Sequence, residues 1–179
     1  MGRNMGSQDK IAALATDPSG ARMQYGALCW RSGQAGVEVL LITSRDTGRW
    51  VIPKGWPMPG LAPEAAAAQE AWEEAGVEGV MEPVCLGRYG YQKCLTVVAQ
   101  VQCAVAVYGL RVQREADKFP EAKERTRQWA PQHIAATMVN EPDLGTLIAG
   151  FVPPVQGRAA PIAGEGDAAA RRGQPRRKR

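Results

Sequence analysis

Three carboxylates, Glu70, Glu73 and Glu74, stand at i, i+3 and i+4 in the run Gln69-Glu70-Ala71-Trp72-Glu73-Glu74-Ala75-Gly76. A helix carrying them gathers all three on one face. Like charges at that spacing repel, so the arrangement costs stability unless a cation sits between them. Oxygen ligands suit Mg²⁺, which takes one or two carboxylates and completes its shell with water and substrate phosphate oxygens. Glu70 and Glu74, one turn apart, can grip a single ion. Glu73 beside them can ligate a second ion or accept a proton from an attacking water. With a glycine loop feeding such a helix, the arrangement suits a divalent-metal phosphate site.

A helix is expected over residues 63–75. Pro63 suits a first helical turn, the alanines at 65–68 and 71 favour helix, and Gly76 is placed to end it. The glycine- and proline-rich loop from Gly55 to Gly60 feeds it. Residues 23–31 and 37–44 read as strands joined by a turn over 32–36, and residues 49–53 as a short strand delivering Lys54 and Gly55. Further strands are expected over 80–86 and 95–108, the second apolar enough for burial on both faces. Residues 117–124 form a charged loop containing Glu121 and Glu124. A strand over 125–130, a short helix from Pro131 to Val139 and a last helix over 143–151 follow. Strands, one early helix, more strands and late helices fit an α/β fold, a mixed β-sheet with helices on its faces. The domain is expected over residues 21–151, between a flexible segment (1–20) and a disordered basic tail (152–179).

The spacing of Gly55, five residues, position 61, seven residues, then Gln69-Glu70-Ala71-Trp72-Glu73-Glu74-Ala75-Gly76-Val77 resembles the 23-residue signature of the Nudix hydrolases. That signature reads Gly, five residues, Glu, seven residues, Arg-Glu-aliphatic-x-Glu-Glu-x-Gly-aliphatic. The resemblance implies a Nudix-type α/β/α sandwich. It also implies Mg²⁺, or alternatively Mn²⁺, held by residues matching Glu70 and Glu74 and by backbone near Gly55, with Glu73 as proton acceptor. Two positions depart. Leu61 replaces a glutamate of the charged cluster and cannot bind a cation. Gln69 replaces an arginine that orients neighbouring carboxylates, and offers only neutral hydrogen bonds.

A polyphosphate needs cations besides the metal. Thr43-Ser44-Arg45, the run from Arg49 to Pro53, and Arg125-Thr126-Arg127-Gln128-Trp129 resemble the diphosphoinositol polyphosphate phosphohydrolase branch, which also cleaves diadenosine polyphosphates. Pro53-Lys54-Gly55 is similar instead to dinucleoside polyphosphate hydrolases of the same superfamily. The implied substrate-binding set is Ser44, Arg45, Lys54, Lys93, Arg125 and Arg127, arginines being suited to bidentate phosphate contact.

Charge and cysteines exclude other classes. The net charge of +4 owes six positive charges to residues 171–179, and without them the balance is −2. A folded nucleic-acid-binding surface is therefore not expected. One histidine, His133, and four cysteines without paired short spacing leave a zinc site or a Cys-His nucleophile unsupported. The cysteines read as reduced core residues. With no apolar run near ~20 residues, no membrane partner is expected, and a cytoplasmic location is. The leading reading is a pyrophosphohydrolase acting on a small-molecule polyphosphate. The alternatives are a Nudix-like module that binds such metabolites without turnover, and an RNA-associated pyrophosphohydrolase using the tail.

Overall fold

The computed structural model describes residues 15–94 and 99–154. Residues 1–14 of the expected leading segment, 95–98 of the expected fifth strand and 155–179 of the expected tail lie outside the described residues. Along the chain come β1 (Arg22–Gly33), β2 (Gly36–Thr43), β3 (Trp50–Val51), β4 (Lys54–Gly55) and α1 (Pro63–Ala75). Then follow β5 (Val77–Cys94), β6 (Gln100–Glu115), β7 (Arg127–Pro131), α2 (Gln132–Met138) and α3 (Pro142–Gly150). One sheet takes them all in the order β3-β2-β1-β6-β5, with β4 on β1 and β7 on β2. β1 and β6 run parallel and the other pairs antiparallel. The sheet is mixed, as expected.

The pleat divides the apolar side chains between two cores, because successive strand residues point to opposite faces. Ala27 and Cys29 of β1, Leu40 and Ile42 of β2 and Ala104 and Ala106 of β6 pack with Ala67, Ala71 and Ala75 of α1. Their neighbours Leu28, Trp30, Val39, Leu41, Val105 and Val107 pack on the other face with Ala135 of α2 and Leu144 and Ile148 of α3. Burial on both sides explains why residues 103–110 are continuously apolar and buried. It also makes the arrangement an α/β/α sandwich.

The helix bounds expected for α1 agree with the structure. Pro63 stands at its first turn, and Gly76 closes it in the left-handed conformation, φ +65°, with its N–H returned to carbonyls of the last turn. β5 is much longer than residues 80–86. Pro83, Gly87 and Gly90 are residues that weaken a strand, but β5 lies at the sheet edge, where a missing N–H costs no ladder bond. The strand absorbs these residues as irregularities, with register shifts at Glu78/Gly79, Met81/Cys85 and Cys85/Gly87. The same exposed edge corrects the reading of the cysteines. All four are free, Cys29 and Cys103 are buried, but Cys85 and Cys94 are exposed.

At Gly76 backbone and packing make the same demand, since a Cβ there would also collide with the Phe119 ring. Gly76→Ala is expected to cost ~1–2 kcal/mol from the left-handed backbone alone, with displacement of Phe119 adding to it. Thermal unfolding should show a fall of several degrees. An unchanged midpoint would mean that the loop yields freely.

Candidate functional site

The acid side of the site is assembled by α1 lying against β4. The short Ala67, Ala71 and Ala75 seat α1 on the sheet, and its carboxylate face meets the strand that carries Lys54 and Gly55. The Glu70 carboxylate lies directly over the Gly55 Cα, in space that any Cβ would occupy. That approach is why position 55 requires glycine. One turn later Glu74, 7% exposed, accepts the Lys54 backbone N–H at 2.9 Å through Oε2. Its other oxygen accepts Arg125 Nη2.

Arg125 holds the opposite side together. Its Nε donates to Glu121 Oε2 at 2.5 Å and its Nη1 to the Thr43 carbonyl at 2.9 Å, and its side chain is only 5% exposed. The guanidinium thus joins α1, the end of β2 and the charged loop before β7. That loop is pinned a second time by the Glu121 N–H on the Glu73 carbonyl, 3.1 Å. Glu121 also pairs with Arg45 at 3.2 Å, and Arg45 reaches Glu124 at 3.3 Å. Glu73 accepts Gln69 Nε2 at 2.6 Å through Oε1. Its second oxygen receives no hydrogen bond among the described residues.

The electrostatics follow from crowding. Burial, then the neighbouring Glu74 and Glu73 carboxylates, push the Glu70 carboxyl up to about 7. Burial also raises Glu74, against the opposing pull of Arg125 and Lys54. Among the described residues no three His, Cys, Asp or Glu side chains close into a ready metal cage. The donor chemistry nevertheless fits a hard divalent ion. Glu70 is a carboxylate pressed against backbone, and its charge is disfavoured by burial and by other carboxylates, a penalty that a cation would remove. Each Glu74 oxygen keeps a further lone pair beyond its one hydrogen bond.

Beside these carboxylates a cleft of about 130 Å³ is lined by Ser44, Arg45, Arg49, Lys54, Glu74, Tyr89, Tyr91, Lys93, Arg125 and Glu141 among others. It brings together five of the six expected substrate-binding residues. Arg127 is elsewhere. Its Nη1 donates to the Ala75 and Ala116 carbonyls at 2.9 and 3.0 Å, and its guanidinium lies 4.9 Å from the Phe119 ring centroid. There it satisfies an orphan carbonyl of α1. The cleft cations are of two kinds. Arg45 and Arg125 are paired with carboxylates as above, and Arg49 pairs with Glu141 at 3.1 Å. Lys54 and Lys93 have no carboxylate partner among the described residues. Their ammonium groups lie 5.2 Å from the Tyr91 ring and 4.9 Å from the Trp56 ring, and burial lowers the Lys54 ammonium.

Sequence reasoning missed Tyr89, Tyr91 and Glu141. The alternation Tyr89-x-Tyr91-x-Lys93 is a strand signal that would have put all three on one face, but the intervening glycine obscured it. Nothing in the sequence pairs Arg49 with Glu141, 92 residues apart. Leu61, in the place of the signature glutamate, is 45% exposed and outside the cleft lining.

The contrast between buried and exposed arginines is measurable. Arg125→Met strands a buried carboxylate and is expected to cost ~3–5 kcal/mol in chemical denaturation. Arg45→Ala, at a side chain 54% exposed, should cost less than ~1 kcal/mol. Equal effects would mean that burial does not govern the Arg125–Glu74 pair.

Comparison with known proteins places this geometry. The NUDIX domain model matches residues 22–153. Diphosphoinositol polyphosphate phosphohydrolase 3-alpha of Mus musculus is 40% identical over 63 residues, 35% of this chain and 38% of that protein. The chain therefore aligns with well under half the length of that relative. Nudix hydrolase 16, mitochondrial, of Arabidopsis thaliana is 33% identical over 120 residues, covering 64% of this chain and 66% of that one. Among solved structures, the C. elegans Ap4A hydrolase superposes with a TM-score of 0.51 at 18% identity, covering 72% of this chain and 93% of that chain. The superposition speaks to the fold alone. Nudix hydrolases generally use divalent metal ions, in keeping with the oxygen donors gathered at Glu70 and Glu74. From the carboxylate helix on its glycine strand to the match over most of its length, the chain belongs to the Nudix family.

Proposed function

We propose that the cleft hydrolyses a phosphoric anhydride of a small polyphosphorylated metabolite, of the diadenosine polyphosphate or diphosphoinositol polyphosphate type. The observation that supports this most is the abutment of two unlike surfaces, the Glu70–Glu73–Glu74 face of α1 and the cationic cleft. A phosphate chain can lie in the cleft with one anhydride beside the carboxylates. In this reading Glu70, Glu74, Glu73 and the Gly55 backbone would hold Mg²⁺, or Mn²⁺. Such an ion neutralises phosphate charge and acidifies a bound water. The mouse relative and the C. elegans structure are named for diphosphoinositol polyphosphate and for Ap4A, ligands with this phosphate chemistry. A cytoplasmic location belongs to the same reading. No helix among the described residues is long and apolar enough to cross a membrane.

The protein's own groups divide the remaining work. Glu73 keeps one oxygen free while Gln69 fixes the other at 2.6 Å, an arrangement suited to a proton acceptor held in one orientation. Arg45 can leave its exposed pairs with Glu121 and Glu124 at small cost and turn to a phosphate. Arg125 cannot do so without stranding Glu74, so its part is to hold the carboxylates. A binding module without turnover is the second reading, favoured by the loss of a carboxylate at exposed Leu61 and of an arginine at Gln69.

Glu73→Gln is expected to preserve the thermal midpoint and to lose at least ~100-fold in kcat on a panel of dinucleoside polyphosphates and diphosphoinositols with Mg²⁺. Binding of these ligands by the parent without phosphate release would establish the module instead. The metal reading also has a pH signature. A Glu70 carboxyl held near 7 favours its protonated form in the folded, metal-free protein. Its contribution to stability is full below the ordinary carboxyl range and is lost as pH rises through about 7. Mg²⁺ competes with that proton, so the Mg²⁺-induced rise in the unfolding midpoint should be larger at pH 8 than at pH 6. A pH-independent rise would remove Glu70 from the ligand set.

A further inference from the structure

Tyr89 stands out because its polar atom finds no partner among the described residues. The side chain is 3% exposed. A buried hydroxyl left unpaired costs ~1–3 kcal/mol, and buried polar groups in folded proteins are overwhelmingly satisfied. A phenylalanine would fill the same hydrophobic core beside Leu28, Trp30 and Ile148 without that cost. Its neighbour Tyr91 shows what a satisfied tyrosine looks like on this strand. The rings lie 6.3 Å apart, and the Tyr91 hydroxyl donates to Gln24 Oε1 at 2.6 Å.

The surroundings indicate what the hydroxyl awaits. Tyr89 lines the cleft, as do Glu141 and Glu74. Burial holds it well above the ordinary tyrosine range, so it remains a donor. Along β5 the alternation places Tyr89, Tyr91 and Lys93 on one face. Lys54 reaches in from β4 over the Tyr91 ring. Among the described residues, the two cleft lysines without carboxylate partners are thus on the same wall as the unpartnered Tyr89 hydroxyl, whereas the arginines across the cleft are already paired with carboxylates. An acceptor that carries negative charge suits a wall that offers these donors.

We propose that Tyr89 is a ligand-binding residue of the cleft, donating its hydroxyl to a phosphate oxygen of the bound polyphosphate, with Lys54 and Lys93 supplying the charge. This deepens the proposed function and rests on it only for the nature of the ligand. Specificity follows from the asymmetry of hydrogen bonding. A ligand that presents an oxygen there restores a missing bond, and one that presents an apolar group leaves the phenol stranded.

The test uses full-length protein, its Tyr89→Phe variant, and a triphosphate whose bridging oxygens are replaced by methylene groups, titrated calorimetrically in the presence of Mg²⁺. Because the probe resists hydrolysis, the result does not depend on turnover. The expected outcome is a Kd raised about tenfold or more in the variant, the magnitude of a hydrogen bond to a charged acceptor. The ligand-free unfolding midpoint should be equal to or above that of the parent, since an orphan hydroxyl has been removed. Three results would overturn the assignment: a Kd unchanged within twofold, no binding to the parent, or a midpoint several degrees lower in the variant. The last would show that the hydroxyl is bonded within the fold. Binding with the expected loss, but no hydrolysis of true anhydrides by the parent, would sink the enzymatic reading and leave Tyr89 in place.

Discussion

A carboxylate buried between a helix and a strand must be neutralised or it will not stay there, and Glu74 obeys that constraint. One oxygen is held by the Lys54 N–H and the other by Arg125. Those two contacts hold α1 against β4 and tie the segment before β7 to α1. Arg125 then carries the constraint onward to Glu121 and the Thr43 carbonyl, and Glu121 carries it to Arg45. Removing one member would leave an uncompensated charge at the next, so the site behaves as a unit.

The same contacts bear on the departures from the signature. The resemblance assigns the orientation of carboxylates to an arginine at the position of Gln69. Here the guanidinium that orients one of them comes from Arg125, 51 residues beyond Glu74, while Gln69 holds Glu73 with a neutral amide. The two groups do not compete for one carboxylate. Glu73 therefore has a partner that leaves its charge intact, whereas Glu74 is tied down. In the proposed reading, a proton acceptor and a fixed ligand need those different settings.

The two-sided sheet makes such a site affordable. Both faces of β1 and β6 are buried, so the strand ends are rigid, and the polar groups can be placed where the connections emerge. β5, with a helix-ending glycine before it and irregularities along it, crosses from that rigid frame to the cleft. Its inward residues Tyr89, Tyr91 and Lys93 belong to the wall, while its outward residues include exposed Val84 and Cys85. A long edge strand can tolerate Pro83 and several glycines because it has only one ladder to maintain.

Local rules made α1, its Pro63 start, its Gly76 stop and the shared face of Glu70, Glu73 and Glu74 legible in the sequence, since each depends on neighbours within a turn or two. Apolar runs likewise revealed β1, β2 and the core of β6. The extent of β5 was hidden because edge position, which no local window contains, decides whether glycine and proline break a strand. The arginines could be recognised as cations but not sorted. Whether Arg125 holds a carboxylate, Arg127 caps a helix or Arg45 faces the cleft depends on which segments become neighbours across the sheet. Residue type and spacing determined what chemistry the chain can do. The long-range strand pairing alone decided which charges meet, because electrostatic and hydrogen-bond partners are set by distance in space and by exclusion of water rather than by separation along the chain.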